Sequence, residues 1–222
     1  MAQALTLMKT TVGKKAALAV SGLVLFGYVI AHMVGNLQVF LGPEVLNSYA
    51  QMLHSSVALL WGARLVLLVA VVVHIWMMIE LYERSYAARP MRYKRVEARY
   101  VSYASAAMKF TGPALLLFIA FHIMHFTTPG LALGDYQHDP VDVYSNVVQA
   151  FQIPWVAATY ILANLFLGMH LFHGAWSLLQ SLGLNHPRYN RPRKRIAQSL
   201  ALFVTVGNIS MPLAIVTGMI GS

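Results

Sequence analysis

Five stretches of this chain are so long and apolar that a lipid bilayer is the only solvent that suits them. That limits the fold more than any other feature of the sequence. A hydrocarbon core of about 30 Å takes about 20 residues of helix, and a backbone crossing it without water must satisfy its polar groups within the crossing segment. Lys15–Leu41, Val57–Tyr82, Ala104–Thr127, Pro154–Leu182 and Ala197–Ile220 all have the length. The expectation is an all-α membrane protein with five transmembrane helices. Only 10% of the residues are charged, against about 25% in a soluble domain. The connections are too short to fold alone, so 1–222 reads as a single transmembrane domain. The first stretch is longer than a signal-peptide core and carries Tyr28, His32 and Asn36 in its later part, so it is expected to remain as a helix.

Charge orients the bundle. Lys9, Lys14 and Lys15 precede the first stretch. Arg84, Arg89, Arg92, Lys94, Arg95 and Arg99 lie between the second and third, and Arg188, Arg191, Arg193, Lys194 and Arg195 precede the fifth. Connections Gly42–Ser56 and Pro129–Ile153 have no Lys or Arg but carry Glu44, Asp135, Asp139 and Asp142. Basic residues mark the cytoplasmic side of short loops. The chain is therefore expected in the cytoplasmic membrane with its N-terminus inside and its C-terminus outside. The net charge of +9 acts as a topology signal and gives no reason to expect nucleic acid. Gly42-Pro43, Pro129-Gly130, Pro154 and Gly183 with Pro187 punctuate the helix ends. Pro113 and Pro212 fall inside helices, where kinks are expected.

Each of the first four stretches also carries a histidine well inside it: His32, His74, His122 and His170. Ionisable residues are costly in a membrane and usually functional. Counting 1.5 Å per residue from the basic ends puts His32 and His122 near the outer face and His74 and His170 nearer the inner one. Two imidazoles at one depth on different helices suit the two axial positions of a haem iron. Two haems are expected, with the first four helices around them and the fifth outside. With no cysteine in the chain, thioether attachment and cysteine-ligated clusters are excluded, and any haem is a b haem. His125 and His173 lie three residues beyond His122 and His170 on nearly the same helix face, and spacing alone does not choose between them. The rival reading is a transporter with a histidine proton relay. Such proteins usually add intramembrane carboxylates, and here the only candidate is Glu80.

The segments HMVGNL at His32, GPEVLNSYAQML after it, VVVHIW at His74, FHIMHFT at His122 and MHLFHGAWSLLQSLG at His170 carry a resemblance over essentially the whole chain. It resembles the cytochrome b membrane-anchor subunit of succinate:quinone oxidoreductases, of the single-chain, five-helix, two-haem type also found in fumarate reductases. That resemblance implies His32 and His122 as ligands of the outer haem iron and His74 and His170 as ligands of the inner one. His125 and His173 are then haem neighbours. It also implies partner subunits on the cytoplasmic face, a flavoprotein holding FAD and an iron–sulfur protein, with electrons passing through both haems to a membrane quinone, read as menaquinone. Dihaem anchors of another quinone-linked dehydrogenase or of a hydrogenase are alternatives.

Arg64 and Lys109 lie toward the outer and inner ends of their helices, where a cation suits a haem propionate or snorkels to the headgroups. A quinone site is expected near the outer haem, because an outer haem serves little purpose if quinone reacts at the inner face. The residues available there are Glu44, His54, Trp61 and Tyr160, with Glu44 or His54 as the proton carrier. No residue of this chain is expected to act on a dicarboxylate.

Overall fold

The computed structural model describes residues 7–88, 103–128, 133–134, 136–183 and 186–221. Arg89, Arg92, Lys94, Arg95, Arg99, Pro129, Gly130 and Asp135 lie outside the described residues. The helices are α1 (Thr11–Asn36), α2 (Pro43–His54), α3 (Val57–Ala87), α4 (Tyr103–Phe126), α5 (Val143–Gln152), α6 (Pro154–Ser181) and α7 (Asn190–Val216). Five of these elements are long and apolar enough to cross a membrane: α1 with the 3-10 turn that follows it, α3, α4, α6, and α7 with the 3-10 turn before it. No strand occurs among the described residues.

Local chemistry sets the ends. The Thr10 hydroxyl accepts the N–H of Gly13 at 3.0 Å to start α1, and Ser56 caps α3 through the N–H of Leu59. Pro154 opens α6 where no amide hydrogen is needed. Gly218, at φ +73°, closes α7, its N–H bonding the Ile215 carbonyl at 3.0 Å while that of Met219 bonds the Ala214 carbonyl at 2.9 Å. Helices α4 and α7 run continuously through Pro113 and Pro212.

Several boundaries differ from the sequence reading. The connection after Gly42 and the one after Asp142 contain helices, α2 and α5. Both begin at good helix starts. Gly42 turns the chain at φ +97° and is followed by Pro43, and the Asp142 carboxylate accepts the N–H of Ser145 at 3.0 Å. Helix α3 continues through Glu83 and Arg84 to Ala87. Helix α7 begins at Asn190 rather than at Ala197 and ends at Val216, so Arg191, Arg193, Lys194 and Arg195 belong to its first turns. Lys and Arg are good helix formers, and Pro192 falls in the first turn, where proline is tolerated.

Helix contacts run laterally α3, α1, α6, α4, and α7 packs along α6 and also touches α1. Close approach needs small residues there. A Cβ on Gly168 would collide with the Thr205 side chain, and one on Gly207 with Met33, as expected of membrane helix packing. The apolar core sits at the end of the bundle where α2 and α5 lie, called here the capped face: Val39, Leu46, Val148, Phe151, Val156, Tyr160, Met211 and Ile215 are all buried there. Away from that core, several buried positions are small (Ala19, Ala70, Ala197, Ala201), while Leu23, Leu65, Leu68, Phe110, Leu117 and Leu202 are exposed as a lipid-facing surface. The end opposite the capped face is called the N-terminal face.

Polar contacts hold the cap together. The Asn47 amide donates to Asp142 Oδ1 at 2.9 Å and its oxygen accepts the N–H of Tyr144 at 2.9 Å, joining α2 to α5. Asp139 accepts the N–H groups of Val141 and Asp142, and its own N–H reaches Asn146 Oδ1. The backbone N–H of Val141, then that of Asp142, lowers the pKa of Asp139. The Ser145 hydroxyl, then the Ser145 N–H and the Asn47 amide, lowers that of Asp142. A carboxyl depressed in the folded state contributes stability above its unfolded pKa of about 3.9 and loses it as pH falls through the folded value. The α2–α5 contact is therefore expected to hold at pH 6 and to loosen below about pH 4. Spin labels on the two helices would separate with acid, and Asn47→Ala would move that separation to higher pH; a distance unchanged down to pH 3 would contradict this account.

Candidate functional site

Two histidine pairs face each other across the bundle. The rings of His32 on α1 and His122 on α4 have centroids 5.7 Å apart, nearly perpendicular at 84°. Those of His74 on α3 and His170 on α6 are 6.3 Å apart at 51°. All four are half-buried. In the lateral order of the helices each pair reaches past one intervening helix, α6 between α1 and α4, and α1 between α3 and α6.

The vertical separation follows from two helices independently. His74 Nδ1 lies 3.4 Å from the Ser21 hydroxyl, and Ser21 is 11 residues from His32 on α1. His122 Nδ1 lies 3.2 Å from the Tyr160 hydroxyl, and Tyr160 is 10 residues from His170 on α6. At 1.5 Å per residue, both counts give about 15 Å between the levels.

A metal–imidazole bond of about 2 Å on each side puts two ring centres roughly 6 Å apart, and both pairs match that spacing. Among the described residues, no group of three or more His, Asp or Glu could hold a bare ion. Two protein ligands suffice only where a macrocycle supplies the remaining positions, as in haem. With their Nδ1 atoms beside hydroxyls, His122 and His74 keep Nε2 for a metal. Gly22 lies against the His74 ring, where an added Cβ would come within 3.3 Å of Cε1. One contact must change on ligation through His32 Nε2: the Asn36 side chain holds that nitrogen at 3.0 Å. The residues present fit two bis-histidine haems.

The second histidines are placed differently. His125, 1% exposed, turns away from His32 toward Tyr160, whose hydroxyl lies 3.0 Å from its Nδ1, and is covered by Tyr136 and Phe126. The Nδ1 atoms of His170 and His173 and the Nε1 of Trp176 are buried without a hydrogen-bond partner. Arg64 stacks on Trp61 at 5.0 Å, Lys109 lies over Tyr82 at 5.9 Å, and Lys194 over Trp176 at 5.7 Å.

The four residues expected around quinone sit in different surroundings. Glu44 is exposed in the first turn of α2, and His54 closes the same helix by donating to the Ala50 carbonyl at 2.7 Å. Trp61 is 61% exposed, whereas Tyr160 is 5% exposed in the core and faces the histidines. Glu80 is ion-paired with Lys14 and also accepts the indole N–H of Trp76 at 3.1 Å. That contact occupies the carboxylate a proton-relay transporter would need.

Sequence reasoning missed Ser21, Asn36 and Tyr136. Asn36 was findable, being one turn beyond His32. Ser21 and Tyr136 meet their histidines only through tertiary packing.

The model of the succinate dehydrogenase/fumarate reductase transmembrane subunit family matches residues 85–209. The chain belongs to that family. The match takes in α4, α6 and most of α7, with His122, His125, His170 and His173. It leaves out α1 and nearly all of α3, with His32 and His74. No curated protein and no solved structure matches the chain. As a family member with five apolar spans, the chain is a multi-pass membrane subunit of the succinate dehydrogenase/fumarate reductase kind.

Proposed function

We propose that this subunit is the dihaem cytochrome b anchor of a succinate:quinone oxidoreductase. In this reading it carries electrons from an iron–sulfur partner through the haem of His74 and His170, then that of His32 and His122, to menaquinone. The observation that carries the reading is the pair of facing histidines at each of two levels. When bound, the haems supply one-electron carriage. The chain's own residues do the rest: four imidazoles hold the irons, Ser21 and Tyr160 orient two of the rings, and the apolar helices keep water away. A flavoprotein with FAD and an iron–sulfur protein bind at the N-terminal face, which we place in the cytoplasm. The basic first turns of α7 support this, since they favour anionic lipid and an acidic partner surface.

A pyridine haemochrome titration of the purified chain is expected to give two non-covalent b haems per polypeptide. One haem or none would overturn the reading.

Quinone is placed at the capped face, beside Glu44, His54 and Trp61, with Glu44 or His54 exchanging the protons. Tyr160, buried behind His122, serves the haem instead. With that face outside, electrons cross most of the membrane, and succinate:quinone turnover in sealed vesicles should change when the membrane potential is collapsed. Turnover indifferent to the potential would move quinone to the N-terminal face.

A further inference from the structure

We infer that the Tyr160 hydroxyl is the positioning group for His122: it accepts a hydrogen bond from the Nδ1–H of His122 and donates one through its own O–H to Nδ1 of His125. The inference rests on the haem reading above and extends it to a residue that does not touch the iron.

A neutral imidazole bound to a metal through Nε2 carries its hydrogen on Nδ1, and that N–H needs an acceptor. For His122 the Tyr160 oxygen stands there at 3.2 Å. The same oxygen lies 3.0 Å from His125 Nδ1. A hydroxyl has one proton to give. Having accepted from His122, Tyr160 donates to His125, and His125 is thereby fixed as the tautomer with hydrogen on Nε2. That nitrogen is buried with no partner, so the ring is held here through its Nδ1 and its packing. Ligation at His122 thus sets the direction of all three groups. It also gives His125 a role that accounts for two histidines one turn apart on a helix where only one faces His32.

The hydroxyl is held firmly enough to do this. Its ring packs edge-on against Phe118 at 5.0 Å and Phe151 at 4.9 Å, and its carbonyl accepts the Asn164 amide at 2.8 Å. The His125 ring is fixed by Phe126 at 4.3 Å and Tyr136 at 5.2 Å. A buried tyrosine needs a partner for its hydroxyl in any fold. A merely structural contact, however, would not tune a metal. An acceptor on Nδ1–H makes the imidazole a stronger donor to iron and favours the ferric state. Donation onward to His125 makes the hydroxyl oxygen a better acceptor still.

The test is redox titration of both haems, with electron paramagnetic resonance, in the assembled complex. Tyr160→Phe should raise the midpoint potential of one haem, the one lost in His32→Ala, and shift its low-spin signal, leaving the other unmoved. His125→Leu should shift the same haem in the same direction by less. The double variant should shift no further than Tyr160→Phe, because the two groups act in series. Unchanged potentials in Tyr160→Phe, a shift of the other haem, or additive shifts in the double variant would overturn the inference. If Tyr160→Phe does not assemble, His125→Leu decides alone: a shift confined to that haem supports the relay, and none overturns it. Failure of the haem reading would show in the unmodified chain; failure of this inference would show only in variants of a chain that holds both haems.

Discussion

Alanine at His32 or at His122 should remove one and the same haem from the subunit, and alanine at His74 or His170 the other. Each single variant should retain about half of the haem absorbance. The expectation follows from geometry: the facing rings are 5.7 and 6.3 Å apart, and the two levels lie about 15 Å from each other along the helices. A b haem has no covalent attachment, so loss of one of two axial ligands leaves it to one bond and packing. Quinone-linked succinate oxidation should fall to background in all four variants, since both haems lie in series on the proposed path. Dye-linked oxidation by the catalytic partners should persist wherever the complex still assembles. His125→Ala is the control: it should leave both haems bound. If His125→Ala strips a haem while His122→Ala does not, the ligand on α4 has been misidentified. Loss of both haems in every variant would mean that the levels fold as one unit.

Much of this arrangement is legible in the sequence, for a physical reason. In a bilayer the helix ends are set by apolar length and basic flanks, so the depth of a histidine can be counted along the chain, and equal depth on facing helices makes a pair. Rotation about the helix axis cannot be counted in that way. His122 and His125 differ by only about 60° around α4 at 3.6 residues per turn, and what separates them is tertiary packing: the His122 ring meets that of His32, while His125 is enclosed by Phe126 and Tyr136. The cap escapes a search for spanning segments because α2 and α5 are too short to cross, although Gly42-Pro43 and Asp142 are good helix starts. The basic run at 191–195 signals topology by its charge, which hides its second property. Its helix-forming character extends α7 by nearly two turns.

Glu80→Gln should destabilise the subunit, and the double variant Lys14→Met with Glu80→Leu should recover much of the loss. The Lys14 side chain is 7% exposed and that of Glu80 34% exposed, and the two form an ion pair between α1 and α3. One turn further along α3, the Arg84 guanidinium donates to the Lys9 carbonyl at 3.1 Å. The N-terminal end of α1 is thus fastened to α3 by charge as well as by packing. Removing one partner of a buried pair leaves the other charge uncompensated, whereas replacing both with apolar groups costs little or nothing. The asymmetry in exposure adds an order. Lys14 is the more enclosed charge, so Glu80→Gln, which strands it, should do more damage than Lys14→Met, which leaves Glu80 freer to reach water. The haem of His74 and His170 should be the more sensitive reporter, since Ser21, beside His74, lies two turns along α1 from Lys14. Thermal unfolding of the purified subunit, followed by the spectrum of each haem, would give the order. The result also separates this reading from proton transport. A relay carboxylate replaced by glutamine loses function while the fold stands, and no apolar double variant restores it. Recovery of both stability and quinone-linked turnover in Lys14→Met with Glu80→Leu would leave Glu80 a structural partner; an intact fold with lost turnover in Glu80→Gln would reopen the relay.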